Sequence, residues 1–141
     1  MTKANFYVLK QDTEQARQLL ACRLAEQQFK QGQRICILTD TAEAAQELDQ
    51  LLWTFTPESF VPHALANDGV AADVAVTINH GNAAPPGTTC ILNLGSDAPL
   101  HQPTLAAIAE FVLNDDESKA RSRARWNLYK QLGYELQHHQ L

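Results

Sequence analysis

The N-terminal third of the chain alternates between two hydrophobic patterns, and that alternation limits the possible folds more than any other feature. Asn5–Leu9 (NFYVL) is a compact run of β-branched and aromatic residues, as expected of a strand. Thr13–Lys30 follows, with Ala16, Leu19, Leu20, Leu24 and Phe29 close to helical spacing and Gly32 just past the end as a stop signal. Arg34–Thr39 (RICILT) is almost wholly apolar, which suits a strand buried on both faces. Asp40 or Thr41 can then cap a helix whose buried stripe is Ala44, Ala45, Leu48, Leu51 and Leu52. Strand, helix, strand, helix in that order predicts an α/β fold, because parallel neighbours are joined only by long crossovers.

The rest of the chain is less regular. Thr54–Ala64 (TFTPESFVPHA) reads as a loop with a short extended piece, and Asp73–Ile78 as a strand with Val74, Val76 and Ile78 on one side. Asn79–Gly87 is a turn-rich loop, Thr89–Leu94 (TCILNL) a buried strand and Gly95–Pro103 a further loop. Leu105–Leu113 suits a helix or a strand, and periodicity does not arbitrate. Asp115–Leu132 is a helix with acids in its first turn and Gly133 as its stop. Residues 134–141 are expected to fray. At 141 residues the chain is one domain's worth, so we read 1–141 as a single α/β domain with a flexible tail.

Charge and composition exclude several functions. The formal net charge is −5, which disfavours a non-specific duplex-DNA coat. The longest uncharged stretch, Val74–Ser96, contains Asn79, His80, Pro85 and Pro86 and cannot be a membrane helix. The apolar run before Lys10 is too short for a secretory signal. Cys22, Cys36 and Cys90 share no metal-ligand spacing and read as reduced thiols, so we expect a cytoplasmic protein. The βα turns at Lys10–Thr13 and Thr39–Thr41 lack glycine, so no dinucleotide or phosphate-cradling loop is present. Asp40 is placed to cap its own helix rather than to act as a catalytic carboxylate. His63, His80 and His101 have no metal-ligand partners at useful spacing, and no nucleophile comes with a base. The expectation is a non-enzyme without cofactor or metal.

Two features exceed what a bland domain needs. No Lys or Arg occurs between Ile35 and Ser118, and then Lys119, Arg121, Arg123, Arg125 and Lys130 follow within one helix. Lys119, Arg123, Trp126 and Lys130 share a narrow stripe, opposite which Leu128 and Leu132 are the natural core anchors. The stripe then faces water and sets an indole among cations, a surface for an acidic peptide or nucleic acid; the alternative is a merely solvated charged face. The second feature is the cluster Trp53, Phe55, Phe60, Val61, Pro62 and His63, which either folds onto the core or forms a protein-binding patch.

At these residues the chain resembles the chi subunit family of bacterial DNA polymerase III. The resemblance rests on Asn5-Phe6-Tyr7-Val8-Leu9, Leu52-Trp53-Thr54 and above all Glu58-Ser59-Phe60-Val61-Pro62-His63. It continues through Phe111-Val112, Lys119, Arg123-Ala124-Arg125-Trp126, Tyr129 and Gly133-Tyr134, and so covers essentially the whole chain. Residues 70–87 are shorter than in the family pattern and lack its basic residues, and Trp126 stands where a tyrosine is also found.

The resemblance implies a Rossmann-like, mostly parallel sheet and a non-catalytic accessory subunit of the clamp-loader assembly. It implies a strand at Leu105–Val112. One surface, at Trp53, Phe60, Val61, Pro62 and His63, would bind the psi subunit, and an accessory helicase could share it. Another, at Val112, Lys119, Arg123, Trp126 and Tyr129 with Arg125 and Lys130 of the same helix, would bind the acidic C-terminal tail of single-stranded-DNA-binding protein. The competing functions are a direct single-stranded nucleic-acid binder stacking bases on Trp126 and a nucleotide-binding enzyme, which the glycine-free turns disfavour most.

Overall fold

The computed structural model describes residues 2–56, 60–65 and 74–141, and its opening elements follow the βαβα order read from the sequence. Strand β1 spans Lys3–Val8, helix α1 Glu14–Lys30, strand β2 Ile35–Thr39 and helix α2 Ala42–Thr54. Helix α1 begins where Thr13 Oγ1 accepts from the Ala16 N–H at 3.3 Å. Helix α2 begins in the same way, with Thr41 Oγ1 accepting from Ala44 at 3.1 Å. Thr41 is therefore the cap, and Asp40 is not. Asp40 instead accepts from the Ser96 N–H at 2.8 Å and the Ser96 hydroxyl at 2.7 Å, since a carboxylate makes the stronger bonds to a neighbouring loop's two donors.

The remaining elements are β3 (His63–Leu65), β4 (Val76–His80), β5 (Cys90–Asn93), β6 (Ala107–Val112), α3 (Asp116–Gln131) and β7 (Glu135–Gln140). The strand expected at Asp73–Ile78 thus begins later and runs to His80; Asp73 lies outside the described residues. The ambiguous segment is the strand β6, buried from Ile108 to Val112. Helix α3 is capped by Asp115, whose carboxylate accepts from the Ser118 N–H at 2.7 Å. Gly133 follows the helix at φ 81°, a left-handed conformation that glycine adopts without steric cost.

Residues 134–141 do not fray. Glu135–Gln140 forms β7, which pairs in parallel with β1 along its whole length. Tyr7 faces His139 in the register and stacks on it at 4.8 Å, with Phe111 on its other side at 5.9 Å. His139 Nε2 also lies 3.1 Å from Asn5 Oδ1. An edge strand exposed on one side needs no hydrophobic alternation, which is why ELQHHQ carries no strand signal.

Among the described residues the sheet has seven strands in the order β3-β4-β2-β5-β6-β1-β7, with every pairing parallel. This is the Rossmann-like α/β arrangement. Alternation along each strand divides the core into two layers. Ile35 and Ile37 face α1 and α2, where Ala21, Cys22, Ala25, Leu48 and Leu52 are buried. Cys36, Leu38 and Ile91 face the other side with Phe6, Ile108, Val112 and Tyr129. Fully burying such an aliphatic chain stabilises the fold by roughly 1.5–3 kcal/mol. All three cysteines are free and buried, and burial pushes each thiol up to about 12.

Candidate functional site

Helix α3 is held by a polar cluster that the sequence reading did not find. Tyr129 is fully buried, and its hydroxyl donates to Glu110 Oε2 at 2.6 Å. Arg125 Nη1 donates to both Glu110 oxygens at 3.1 and 3.2 Å, and Asn93 Nδ2 donates to Oε2 at 2.9 Å. Arg125 also donates to the carbonyl oxygens of Ser96 and Asp97. Burial pushes the Glu110 carboxyl up, against the opposing pull of Arg125, Asn93 and Tyr129. Burial and the adjacent carboxylate push the Tyr129 hydroxyl far above its ordinary value, so it remains a donor. The available signal was a lone acid in an otherwise apolar strand (AIAEFV) and an Asn closing another (CILN).

This cluster reorders the helix. Arg125 and Tyr129 are the core-facing side chains, whereas Leu128 and Leu132, expected as anchors, are exposed. Arg125, grouped by sequence with the peptide-binding cations, turns inward and is tied to Glu110. The basic stripe lies beside the buried one, about 100° around the helix. Trp126 accordingly does not stand free in water. It is half-buried, with its ring centroid 5.1 Å from that of Phe6, and packs against the second core layer.

Lys119, Arg123 and Lys130 are exposed and form no ion pair with any described residue. Arg121 does, meeting Glu117 at 3.0 Å. The result is a fixed apolar ledge, one face of Trp126, bordered by unpaired cations. It can attract an anionic segment and give its apolar residue a surface.

The second cluster sits at the opposite edge of the sheet, on α2 and β3. Trp53 is 52% exposed and Phe60 67%, with ring centroids 6.1 Å apart. Val61, by contrast, is buried in the first core layer, and Pro62 is half-buried. The His63 ring is buried beneath Trp53, 4.5 Å between centroids. Its nitrogens lie 2.6 Å from the Val61 oxygen and 2.9 Å from the Asp49 oxygen, with Asp49 Oδ1 at 3.4 Å from Nε2. The cluster therefore divides: Val61 and His63 fold onto the core, whereas Trp53 and Phe60 face out. Glu58 and Ser59 lie outside the described residues.

Among the described residues no cluster of three or more His, Cys, Asp or Glu side chains could hold a metal, and no helix is long and apolar enough to cross a membrane. Taken together, these features define a Rossmann-like α/β protein carrying an aromatic pair at one edge and a cationic helix near the other. Residues 1–137 match the family described as DNA polymerase III chi subunit, HolC. The chain belongs to that family. It is 35% identical to the DNA polymerase III subunit chi of Pseudomonas aeruginosa, across all of this chain and 98% of that one. Identity to the subunit chi of Escherichia coli is 30%, over 96% of each chain. The Haemophilus influenzae subunit chi is 27% identical over 94% of this chain and 93% of its own.

Proposed function

We propose that this chain is a non-catalytic, cytoplasmic accessory subunit of the DNA polymerase III holoenzyme, bridging the clamp loader to single-stranded-DNA-binding protein. The psi subunit docks on the exposed rings of Trp53 and Phe60, with Val61, Pro62 and His63 supporting them from within; an accessory helicase could exchange with psi there. The acidic C-terminal tail of single-stranded-DNA-binding protein docks on α3, where Arg123 pairs bidentately with the terminal carboxylate. Lys119 and Lys130 attract the preceding acidic residues. Trp126 and the margin of Val112 receive the terminal apolar side chain, while Arg125 and Tyr129 hold the helix in place.

The observation that carries this reading is the contrast within α3: among the described residues Arg121 and Arg125 have carboxylate partners, and Lys119, Arg123 and Lys130, on the stripe with Trp126, have none. Unpaired cations around a rigid aromatic face fit an acidic, apolar-ended peptide better than a nucleic-acid strand, which requires a longer basic groove. Titrating the protein with an acidic peptide ending in Pro-Phe, followed by Trp126 fluorescence, tests it. Saturable binding of the peptide with little response to an oligonucleotide is expected; the reverse would point to direct nucleic-acid binding.

A further inference from the structure

Two backbone carbonyls converge on the ring of His63. Its side chain is fully enclosed, with Nδ1 2.6 Å from the Val61 oxygen and Nε2 2.9 Å from the Asp49 oxygen. A carbonyl oxygen only accepts, so each of these contacts needs a proton on the ring. Neutral imidazole carries one, and in either tautomer the other nitrogen turns a lone pair toward an oxygen. Only the imidazolium donates to both.

The surroundings suit that charge. The Asp49 carboxylate lies 3.4 Å from Nε2, and the Trp53 indole covers the ring at 4.5 Å between centroids, inside the reach of roughly 6 Å for a cation against an aromatic face. Asp49 is the acid that α2 turns toward the ring, whereas Glu43 and Glu47 line the outer groove of that helix. On the sheet side, β3 pairs with Val76–Ile78 of β4, which bear no titratable group. Glu58, Asp68 and Asp73 lie outside the described residues. The ring is also placed to act on the exposed aromatic pair. Strand β3 is only three residues long and, at the edge of the sheet, is bonded to β4 alone. The two ring contacts tie the segment that carries Phe60 to α2, one turn before Trp53. With both made, the Trp53 and Phe60 rings stand 6.1 Å apart, and fixing them in advance lowers the ordering cost of docking.

We propose that His63 is a protonation-controlled clasp: as the imidazolium it donates to the Val61 and Asp49 carbonyls together and holds Trp53 and Phe60 in their docking arrangement. Loss of one proton breaks one of the two bonds and loosens the pair. The clasp is thus closed at lower pH and opens as the pH rises through the titration of the ring. Its effect on binding rests on the proposed docking of psi at Trp53 and Phe60; its effect on the two rings does not.

Imidazole ¹⁵N spectra of the full chain test this, recorded at about pH 6 and about pH 8.5, either side of the ordinary histidine value of about 6.5. His63 should carry a proton on both nitrogens at the lower pH and on one at the higher. The Trp53 indole N–H resonance should move with the same midpoint. Asp49→Asn, at a partly exposed position, removes the countercharge and should shift that midpoint to lower pH. Psi should bind about tenfold more weakly at the higher pH, as expected for one lost charge-assisted hydrogen bond. His63→Gln, which does not titrate, should abolish that difference. A His63 ring with a single proton at about pH 6 would overturn the proposal. So would a Trp53 resonance that ignores the titration, or equal psi affinity at the two pH values. Absence of psi binding at either pH would refute the docking surface and leave the clasp to be decided by the ring and indole resonances.

Discussion

The Tyr129 hydroxyl donates to Glu110 Oε2 at 2.6 Å across the interface between α3 and the sheet, and both side chains are buried. This bond, with the Arg125 pair beside it, sets which side of the helix faces the core. Tyr129→Phe should lower stability by about 1–3 kcal/mol, since the carboxylate loses one of its donors. Glu110→Ala leaves Arg125 buried without its countercharge and should cost about 3–5 kcal/mol. Urea unfolding followed by circular dichroism reads both values. Equal small losses would mean that the cluster does not fix the helix.

Phe60 and Val61 are sequence neighbours with opposite environments, and their alanine variants should separate accordingly. Phe60→Ala should weaken psi binding by about 2 kcal/mol or more and leave the melting temperature nearly unchanged. Val61→Ala removes buried methyl groups from the core and should cost about 1–2 kcal/mol of stability. Calorimetric titration with psi, paired with thermal melts, distinguishes the two; a destabilised Phe60→Ala protein would place that ring in the core after all.

At the other surface, Arg123→Ala should reduce affinity for the acidic tail peptide more than Lys119→Ala does. A guanidinium holds a carboxylate through two parallel hydrogen bonds, whereas an ammonium acts as a screened point charge. Amidating the peptide's C-terminus should reproduce much of the Arg123 loss, and removing its terminal phenylalanine should also weaken binding. Raising the salt concentration should reduce affinity, because exposed charges are screened over about 8 Å at physiological ionic strength. An Arg123→Ala protein that binds both free and amidated peptides like wild type would exclude this geometry.

The two surfaces lie toward opposite edges of the sheet, on α2 with β3 and on α3. Tail affinity measured with and without bound psi should therefore agree within about 0.5 kcal/mol. A tenfold difference would show that they are coupled through the sheet.

Asp40 gives a pH-dependent contribution of known sign. Partial burial raises its carboxyl, but the two Ser96 hydrogen bonds and the Arg17 and Arg121 charges outweigh that, and the net shift is downward. Its stabilisation is therefore fully present above the unfolded value of about 3.9 and is lost as the pH falls through the lower folded value. Asp40→Ala should lower stability at neutral pH by roughly 0.5–1 kcal/mol, given its exposure. That gap should close in strong acid, as denaturant midpoints measured against pH would show.

Much of this protein was readable from its sequence alone. Local hydrophobic periodicity identified β1, α1, β2 and α2, because burial on one helical stripe or on both strand faces writes its period directly into residue order. The stop at Gly133 was legible because it is local to the helix end, and the helix start was read one residue early, at Asp115, which the structure makes the cap. The distinctive aromatic and basic residues at positions 53–63 and 119–130 carried the family resemblance. What the tertiary structure alone decided depends on partners far apart in sequence. Glu110 lies in β6, yet its acceptor capacity turns Arg125 and Tyr129 inward and leaves Leu128 and Leu132 outside, against their hydrophobicity. A buried acid with three donors outweighs the pull of two leucines, and no periodicity within α3 records that acid. Likewise, β7 exists because β1 offers a free edge and Tyr7 a stacking face for His139, features absent from the polar sequence ELQHHQ itself.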